Sequence, residues 1–173
     1  MLCLLIFGTT IFFIPTLSFA QTTVPLSNQK VIYELPYPGI LPDHPLYIFK
    51  QTRDKIIEFL TRDNLKKAEL YLLNSDKLAV MAKQLGQQGK GSLAVKTIRQ
   101  AEEYTIKIIK LLNLAKKQGS RPTDDFLRRL KNSNVKHAEI IEELLRELPQ
   151  GSAATLTDIL RINEQAHRQL EKM

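Results

Sequence analysis

The sequence predicts an all-α fold, in which antiparallel helical hairpins form a bundle of about five helices preceded by a proline-rich extended strap. Three observations lead to this prediction. Leucine, isoleucine and alanine recur at helical spacing, glycine occurs only seven times in 173 residues, and tryptophan is absent. Glycines, prolines and capping residues divide the periodic pattern into separate segments. No alternating run predicts a long strand.

The first 20 residues predict a secretory signal peptide. Residues 1–20 carry no charged side chain, are interrupted by Pro15, and end in a Ser-Phe-Ala triplet that fits the small-x-small pattern of signal peptidase sites. The apolar run is shorter than the roughly 20 residues that span a bilayer. We therefore expect export with cleavage after Ala20, the alternative being an uncleaved membrane anchor. Because Cys3 is the only cysteine, the mature chain has no thiol for a disulfide, a zinc–thiolate site or a nucleophile.

A tether and a strap follow the leader. Residues 21–32 lack periodicity and are predicted to form a flexible tether, whereas residues 33–47 contain four prolines, which favour extended geometry. The tyrosines of the strap suit either packing over the first helices or recognition of a partner protein or ligand. The candidate interaction residues of the strap are Tyr33, Pro36, Tyr37, Pro38, Asp43, His44 and Tyr47.

The strap leads into the first two helices. Asp43 or His44 is predicted to cap the first helix, with Pro45 in its first turn. Its apolar positions at helical spacing are Leu46, Phe49, Ile56 and Leu60. A short break follows, and Asp63 is predicted to cap a second helix that extends to about Gly86.

Small residues mark the seams of the second and third helices. The seam of the second helix is Leu65, Ala68, Leu72, Ser75, Ala79 and Ala82, and that of the third is Ala94, Ile98, Ala101, Thr105, Ile108, Leu112 and Ala115. Residues 86–91 are predicted to form the turn, and Ser92 is predicted to cap the third helix. These patterns predict a closely packed antiparallel hairpin. The seams are compatible with pairing within one chain or between two chains.

Two further helices are predicted near the C-terminus. Thr123 is expected to cap the fourth helix, in which the polar stretch Lys131–Asn134 interrupts the apolar pattern and is a candidate kink. The last helix is expected from about Thr155. We assign residues 33–119 to the strap and the helical hairpin core, and residues 122–173 to a second hairpin that is either packed on this core or appended to it.

Several of these segments resemble a known protein family. They are the signature YELPYPGILPDHPLY at residues 33–47, followed by Arg53-Asp54, Leu60-Thr61, Lys66-Lys67-Ala68-Glu69 and Asp76-Lys77. Together they resemble a bacterial family of exported helical domains of unknown function, over about residues 33–118. The chain departs from that pattern at Asn64, where a proline is expected, and at Asn74-Ser75, where a Leu/Ala-rich run is expected. The resemblance implies bacterial origin, export and a helical fold, and brings no activity, substrate or catalytic residue.

The sequence predicts no metal site and no cofactor. Residues 164–167 read Glu-x-x-His, as in carboxylate-bridged two-metal centres, but residues 134–137 have asparagine where the second carboxylate is needed. His137 and His167 are therefore expected at the surface, with a loose metal site as the alternative.

No residue pattern points to catalysis. The paired acids Glu102-Glu103 and Glu142-Glu143 are expected on solvated helix faces. Since neither a Gly-x-Ser-x-Gly elbow nor a His-Glu-x-x-His motif is present, we expect no catalytic residue and no enzyme.

The positive charge is concentrated in the middle of the chain. The net charge is +7, and residues 44–121 contain 16 Lys/Arg against 7 Asp/Glu. Such a region attracts anionic surfaces, although lysines also simply solvate long helices. Nucleic acid is not an expected partner, because the lysines are spread around both hairpin helices and are not interleaved with aromatic residues.

These observations favour an exported, non-enzymatic protein-interaction or envelope-associated module. Its expected partner is an unknown protein or an anionic envelope surface, with membrane contact only through an uncleaved leader. The alternative is an extracytoplasmic sensor that binds a small ligand or a metal between the strap and the bundle.

The leader gives a direct prediction. We expect the exported chain to begin at Gln21, because signal peptidase cleaves after a small residue that follows an apolar run. Intact-mass analysis of the chain from its host tests this. A chain that retains residues 1–20 would instead show an uncleaved anchor.

Overall fold

The computed structural model of the protein describes residues 32–173, and this part of the chain contains five α-helices and no strand. The all-α prediction is therefore confirmed. The predicted signal peptide and nearly all of the predicted tether lie outside the described residues. The helices are α1 (Tyr47–Leu60), α2 (Asn64–Gln87), α3 (Gly91–Lys117), α4 (Asp124–Glu147) and α5 (Ala153–Leu170), with a 3-10 turn at Gln150–Ser152 before α5.

Two of the predicted helix caps are confirmed. The Asp63 carboxylate accepts the Lys66 backbone N–H at 2.8 Å, and the Thr123 hydroxyl accepts the Phe126 backbone N–H at 3.2 Å. Each side chain satisfies one of the N–H groups that a helix start leaves without an internal partner. The polar stretch predicted as a kink lies inside α4, which continues from Asp124 to Glu147.

Two other helix starts differ from the prediction. The helix α3 begins at Gly91, so Ser92 lies within it and does not cap it. The turn before α3 closes through Gly89, whose φ of +74° lets the Lys90 N–H reach the Leu85 carbonyl at 2.8 Å. The helix α1 begins only at Tyr47, after a series of turns.

The helices α2 and α3 form a hairpin, and α4 and α5 pack against it to complete two apolar clusters. The first apolar cluster consists of Leu78, Ala79, Met81, Ala82, Leu85, Ala94, Ile98, Ala101, Ile140, Ile141, Leu144, Leu156, Ile159 and Leu160. The second apolar cluster consists of Ala68, Tyr71, Leu72, Ile108, Ile109, Leu112, Phe126, Leu130, Ala166 and Leu170. All four helices contribute to both clusters, so residues 64–170 share one interior.

Small residues allow the close packing of this interior. A Cβ atom added at Gly86 would lie 2.5 Å from Leu144 Cδ2, well inside van der Waals contact. The glycine at the end of α2 therefore makes room for a buried leucine of α4.

The first helix lies outside this interior. No residue of α1 is buried, and the positions that the sequence marks as its apolar face, such as Phe49 and Leu60, are 72% and 69% exposed. The side turned to the bundle instead carries the partly buried Tyr47, Asp54 and Glu58. Among residues 32–173, none of the helices combines the length and the apolar composition of a membrane span.

Truncation of Leu144 should destabilise the protein strongly. Leu144 is fully buried, so Leu144→Ala is expected to lower the free energy of unfolding by about 3 kcal/mol, from lost burial and the cavity it leaves. Urea denaturation measures this change. Leu114→Ala is the matched control, because Leu114 is 48% exposed and its truncation should cost less than about 0.5 kcal/mol. Equal decreases in the free energy of unfolding for the two variants would contradict the burial of Leu144.

Candidate functional site

A buried polar layer separates the two apolar clusters. Each of the four bundle helices contributes to it near its middle, and its members are Ser75, Asp76, Glu102, Thr105, Ser133, Asn134, His137 and Asn163. Every one of these residues is at most 3% exposed. Buried polar groups are costly unless they are hydrogen-bonded, so the pairing within this layer decides its effect on stability.

His137 lies at the centre of the polar layer, between two carboxylates. Its Nδ1 is 2.9 Å from Glu102 Oε1 and its Nε2 is 3.2 Å from Asp76 Oδ1. Burial by itself disfavours the charged imidazolium, but the hydrogen bonds and the charges of Asp76 and Glu102 outweigh it and raise the pKa of His137 to about 9. At neutral pH both ring nitrogens therefore carry protons, and each donates to one carboxylate.

The remaining oxygens of the two carboxylates also have partners. Asp76 Oδ2 accepts the Tyr33 hydroxyl at 2.7 Å, and Glu102 Oε2 accepts the Asn163 amide at 3.1 Å. Asp76 Oδ1, the oxygen that faces His137, also accepts the Ser133 hydroxyl at 2.5 Å. These neutral donors leave the net charge of the cluster unchanged, but each stabilises a buried carboxylate oxygen by a hydrogen bond.

An asparagine pair extends the layer between α4 and α5. The Asn134 amide donates to the Asn163 carbonyl at 3.2 Å, and the Asn163 amide donates to the Asn134 carbonyl at 3.0 Å. His167 Nδ1 lies 3.0 Å from Asn134 Oδ1. Within residues 32–173, the one buried side-chain polar atom without a hydrogen-bond partner is Glu139 Oε1, outside this layer. The layer is therefore a completed internal network.

Two expectations about these residues were wrong. Glu102 was expected on a solvated face and is 1% exposed, while its neighbour Glu103 is exposed. His137 was expected at the surface and is fully buried, and His167 is partly buried. The signal that could have found the network is the interruption of the apolar pattern near the middle of each bundle helix, at Ser75-Asp76, Glu102, Ser133-Asn134 and Asn163.

The described part of the chain contains no group of three or more His, Cys, Asp or Glu side chains arranged to hold a metal ion. Both ring nitrogens of His137 are already hydrogen-bonded to carboxylates. Glu164 lies 3.9 Å from Arg168, and His167 points to Asn134, so the Glu-x-x-His pair of α5 does not converge on a common ligand position.

The proline strap has one edge against the bundle. Tyr33 donates to Asp76 in the polar layer, and both burial and this hydrogen bond raise the pKa of the Tyr33 hydroxyl. Pro38 is buried and Pro36 is partly buried. Leu35, Leu41 and Tyr47 pack against the first apolar cluster.

The other edge of the strap faces solvent. Tyr37 is 83% exposed and His44 is exposed, although His44 Nδ1 accepts the Leu46 backbone N–H at 3.1 Å. Asp43 pairs with Lys90 in the turn before α3, and this hydrogen bond lowers the pKa of Asp43. The seven candidate strap residues therefore do not form one surface. Tyr33 and Pro38 hold the strap in place, and Tyr37 remains available to a partner.

The helix α1 adds an exposed apolar surface, which includes Phe49, Ile56 and Leu60 of the predicted helical pattern. We define its outer face as Ile48, Phe49, Ile56, Phe59 and Leu60, which are 69%, 72%, 54%, 83% and 69% exposed. At 100° per residue these side chains fall within an arc of about 120° on the helix. The outer face is an apolar surface directed away from the bundle, interrupted near its middle by the exposed Thr52.

Polar contacts hold the opposite side of α1 on the bundle. The Tyr71 hydroxyl of α2 donates to the Glu58 carboxylate, and Lys50 Nζ lies 4.0 Å from Met81 Sδ of α2. Within α1, Lys50 Nζ also lies 5.4 Å from the centre of the Tyr47 ring. Burial in this region lowers the pKa of Lys50. The helix is thus amphipathic in the reverse sense, with its polar side inward.

Comparison with known proteins places this architecture in a family. Residues 39–151 match the family described as a domain of unknown function (DUF5667). The chain belongs to this family. The DUF5667 region extends further toward the C-terminus than the resemblance over residues 33–118 suggested, and it contains α1 to α4 but neither Tyr33 nor α5. No curated protein and no solved structure matches the chain.

The buried histidine predicts a fall in stability at alkaline pH. Because the pKa of His137 is about 9 in the folded protein and 6.5 ordinarily, the bound proton stabilises the folded state. This contribution is fully present below pH 6.5, declines between pH 6.5 and 9, and is lost above pH 9. This difference between the folded-state and the ordinary pKa of His137 corresponds to about 3 kcal/mol in the free energy of unfolding. Urea denaturation across this pH range measures it.

Two variants serve as controls for this prediction. His137→Gln should be less stable at neutral pH and should lose the pH dependence between pH 6.5 and 9, because glutamine does not titrate. His44→Gln alters an exposed histidine and should keep the dependence. A wild-type protein equally stable at pH 6.5 and 9 would contradict a charged His137.

Proposed function

We propose that the chain is an exported, non-enzymatic interaction module that contacts an envelope partner through the outer face of α1 and the exposed edge of the strap. The observation that carries this proposal is the reversed amphipathicity of α1. A helix that served only to complete the core would turn Ile48, Phe49, Ile56, Phe59 and Leu60 inward. Single exposed apolar side chains are common on protein surfaces, but five large ones on one side of a single helix are typical of a binding surface.

The strap extends this surface. Tyr37, Ile40, Leu46 and Phe49 line one open hollow of about 610 Å³ between the strap and α1. Tyr37, Ile40 and Leu46 are 83%, 38% and 50% exposed. An aromatic side chain with a polar tip beside aliphatic groups is a composition enriched at interfaces.

The bundle suits the role of a scaffold for this surface. Its apolar clusters and its polar layer draw on α2 to α5, and no α1 residue is buried. Substitutions on the outer face of α1 are therefore expected to leave folding intact while they change binding. The predicted leader supports an extracytoplasmic location for the contact.

The geometry supports the sensor alternative less well. The open hollow beside Tyr37 remains accessible to a small ligand, but its lining offers no carboxylate or histidine for a metal ion. The position where the strap meets the polar layer is closed by the hydrogen bond from Tyr33 to Asp76, which is part of a completed network. A ligand at this position would have to break the pairing of a buried carboxylate, which is costly.

Site-specific photo-crosslinking in the native host tests the proposed surface. A photoreactive side chain at Phe59 or at Tyr37 is expected to give adducts with protein or lipid, because both positions are 83% exposed on the proposed surface. The same group at Leu114 on α3 is the control and should give several-fold less product. Gel shifts and mass analysis of the purified chain identify the adducts. No adduct from either test position, or equal yields at all three positions, would contradict the proposal.

A further inference from the structure

The charges of α1 are sorted between its two sides. Asp54 and Glu58 lie on the partly buried inner side, whereas the exposed Arg53 and Lys55 stand on opposite borders of the outer face. Arg53 also forms an ion pair with Asp54 at 2.7 Å, whereas Lys55 has no ion pair within the described residues. On a helical wheel each of these cations lies about 80° from the centre of the apolar stripe. The surface that α1 shows to a partner is therefore mainly apolar in the middle, with Thr52 as a small polar position, and carries a basic side chain along each edge.

The positive charge continues beyond the helix. Lys50, Arg53 and Lys77 line the same hollow as Tyr37 and Phe49. No acidic side chain lines this hollow. Aliphatic stems of lysine and arginine can lie along an apolar surface while their charged ends reach a polar layer above it.

This pattern is typical of helices that lie in the plane of a membrane surface. Such helices bury an apolar face about 5–10 Å into the boundary between head groups and acyl chains, and basic residues beside that face contact anionic lipids. A tyrosine at the edge of the apolar stripe fits the same boundary. A bilayer also requires no complementary groove, so it can receive a convex helix face.

On these grounds we infer that the outer face of α1, together with Tyr37 and Ile40, binds the surface of a bilayer that contains anionic lipids. Arg53 and Lys55 provide the charge selectivity, and the five apolar side chains provide the insertion. This inference rests on the proposed interaction surface and names its partner. It also goes beyond the expectation that the chain meets a membrane only through an uncleaved leader, because the contact is made by the folded domain.

The absence of tryptophan from the chain gives a local probe of this contact. In the full chain, Phe59→Trp places a single fluorophore on the outer face of α1, so its emission reports on α1 even where the leader also binds lipid. We expect phosphatidylcholine vesicles containing phosphatidylglycerol to shift the emission to shorter wavelength and to protect the fluorophore from iodide. Vesicles of phosphatidylcholine alone should have at least fivefold weaker effect.

Matched variants test the contributions of the apolar face and of the basic residues separately. Leu114→Trp reports on α3 and should show no shift. In the Phe59→Trp background, Ile56→Glu should abolish the shift, and Arg53→Gln with Lys55→Gln should weaken the apparent affinity at least fivefold, since each basic residue near an anionic surface contributes several-fold. Ile56, Arg53 and Lys55 are exposed, and circular dichroism of each variant should match that of the parent chain.

Four results would overturn the inference. They are an unchanged emission with every vesicle, an equal response of the Leu114→Trp control, an equal response to vesicles with and without anionic lipid, and an emission already shifted without vesicles. A shift that depends on protein concentration without lipid would instead identify a second copy on this face. If the vesicles fail while crosslinking from Phe59 in the host yields a discrete protein adduct, the interaction module stands and only its lipid partner is wrong.

Discussion

The hydrogen bonds of His137 to Asp76 and Glu102 link the three longest helices of the bundle at one level. The ring joins α4 to α2 on one nitrogen and to α3 on the other, and Asn163 connects Glu102 to α5. A shift of one helix by a single turn would place a charged or amide group against an apolar cluster, with its partners left unpaired. The polar layer therefore fixes the axial register of four helices whose small and aliphatic seams alone would tolerate sliding.

The same layer determines where the strap lies. Tyr33 reaches Asp76 from outside the bundle, so the N-terminal part of the strap is tied to the network that aligns the helices. The strap then runs along the bundle surface, where Leu35 and Leu41 pack against the first apolar cluster and Pro38 is buried. At the end of the strap, Asp43 forms an ion pair with Lys90. Because the strap is fixed at both ends, the chain enters α1 at a defined position and direction. The placement of the exposed apolar stripe thus depends on contacts made by other residues.

The helices that stabilise the bundle are not the helix that carries the exposed apolar surface. Apolar burial and the polar layer involve α2 to α5, whereas α1 is held by polar contacts such as Tyr71 with Glu58. Tyr71 also packs against Tyr104 with ring centres 5.1 Å apart, and Lys107 lies 4.7 Å from the centre of the Tyr104 ring. These rings form a rigid base beneath α1. Exposing the apolar face of α1 to water is unfavourable by itself. The contacts of α1 with Tyr71 and its neighbours hold the helix in the orientation that exposes this face.

The sequence by itself determined the helices, the breaks between them and several caps. These features depend on neighbouring residues, as when Asp63 and Thr123 bond to an N–H three positions later. The sequence also pointed to a helical domain of unknown function, and the family match over residues 39–151 agrees with this at that coarse level. The buried sides of α2 and α3 also followed from the sequence, since the predicted seams are buried from Ala68 to Ala82 and from Ala94 to Ala115. Only the tertiary structure decided that α1 exposes its apolar side and that a polar layer lies inside the bundle. Glu102 and His137 are buried because they bond to each other between α3 and α4, while Asp76 and Asn163 reach them from α2 and α5. Phe49 and Phe59 are exposed because polar groups hold the opposite side of α1 on the bundle. Periodicity reveals an apolar face, but the partner of that face is set by contacts distant in sequence.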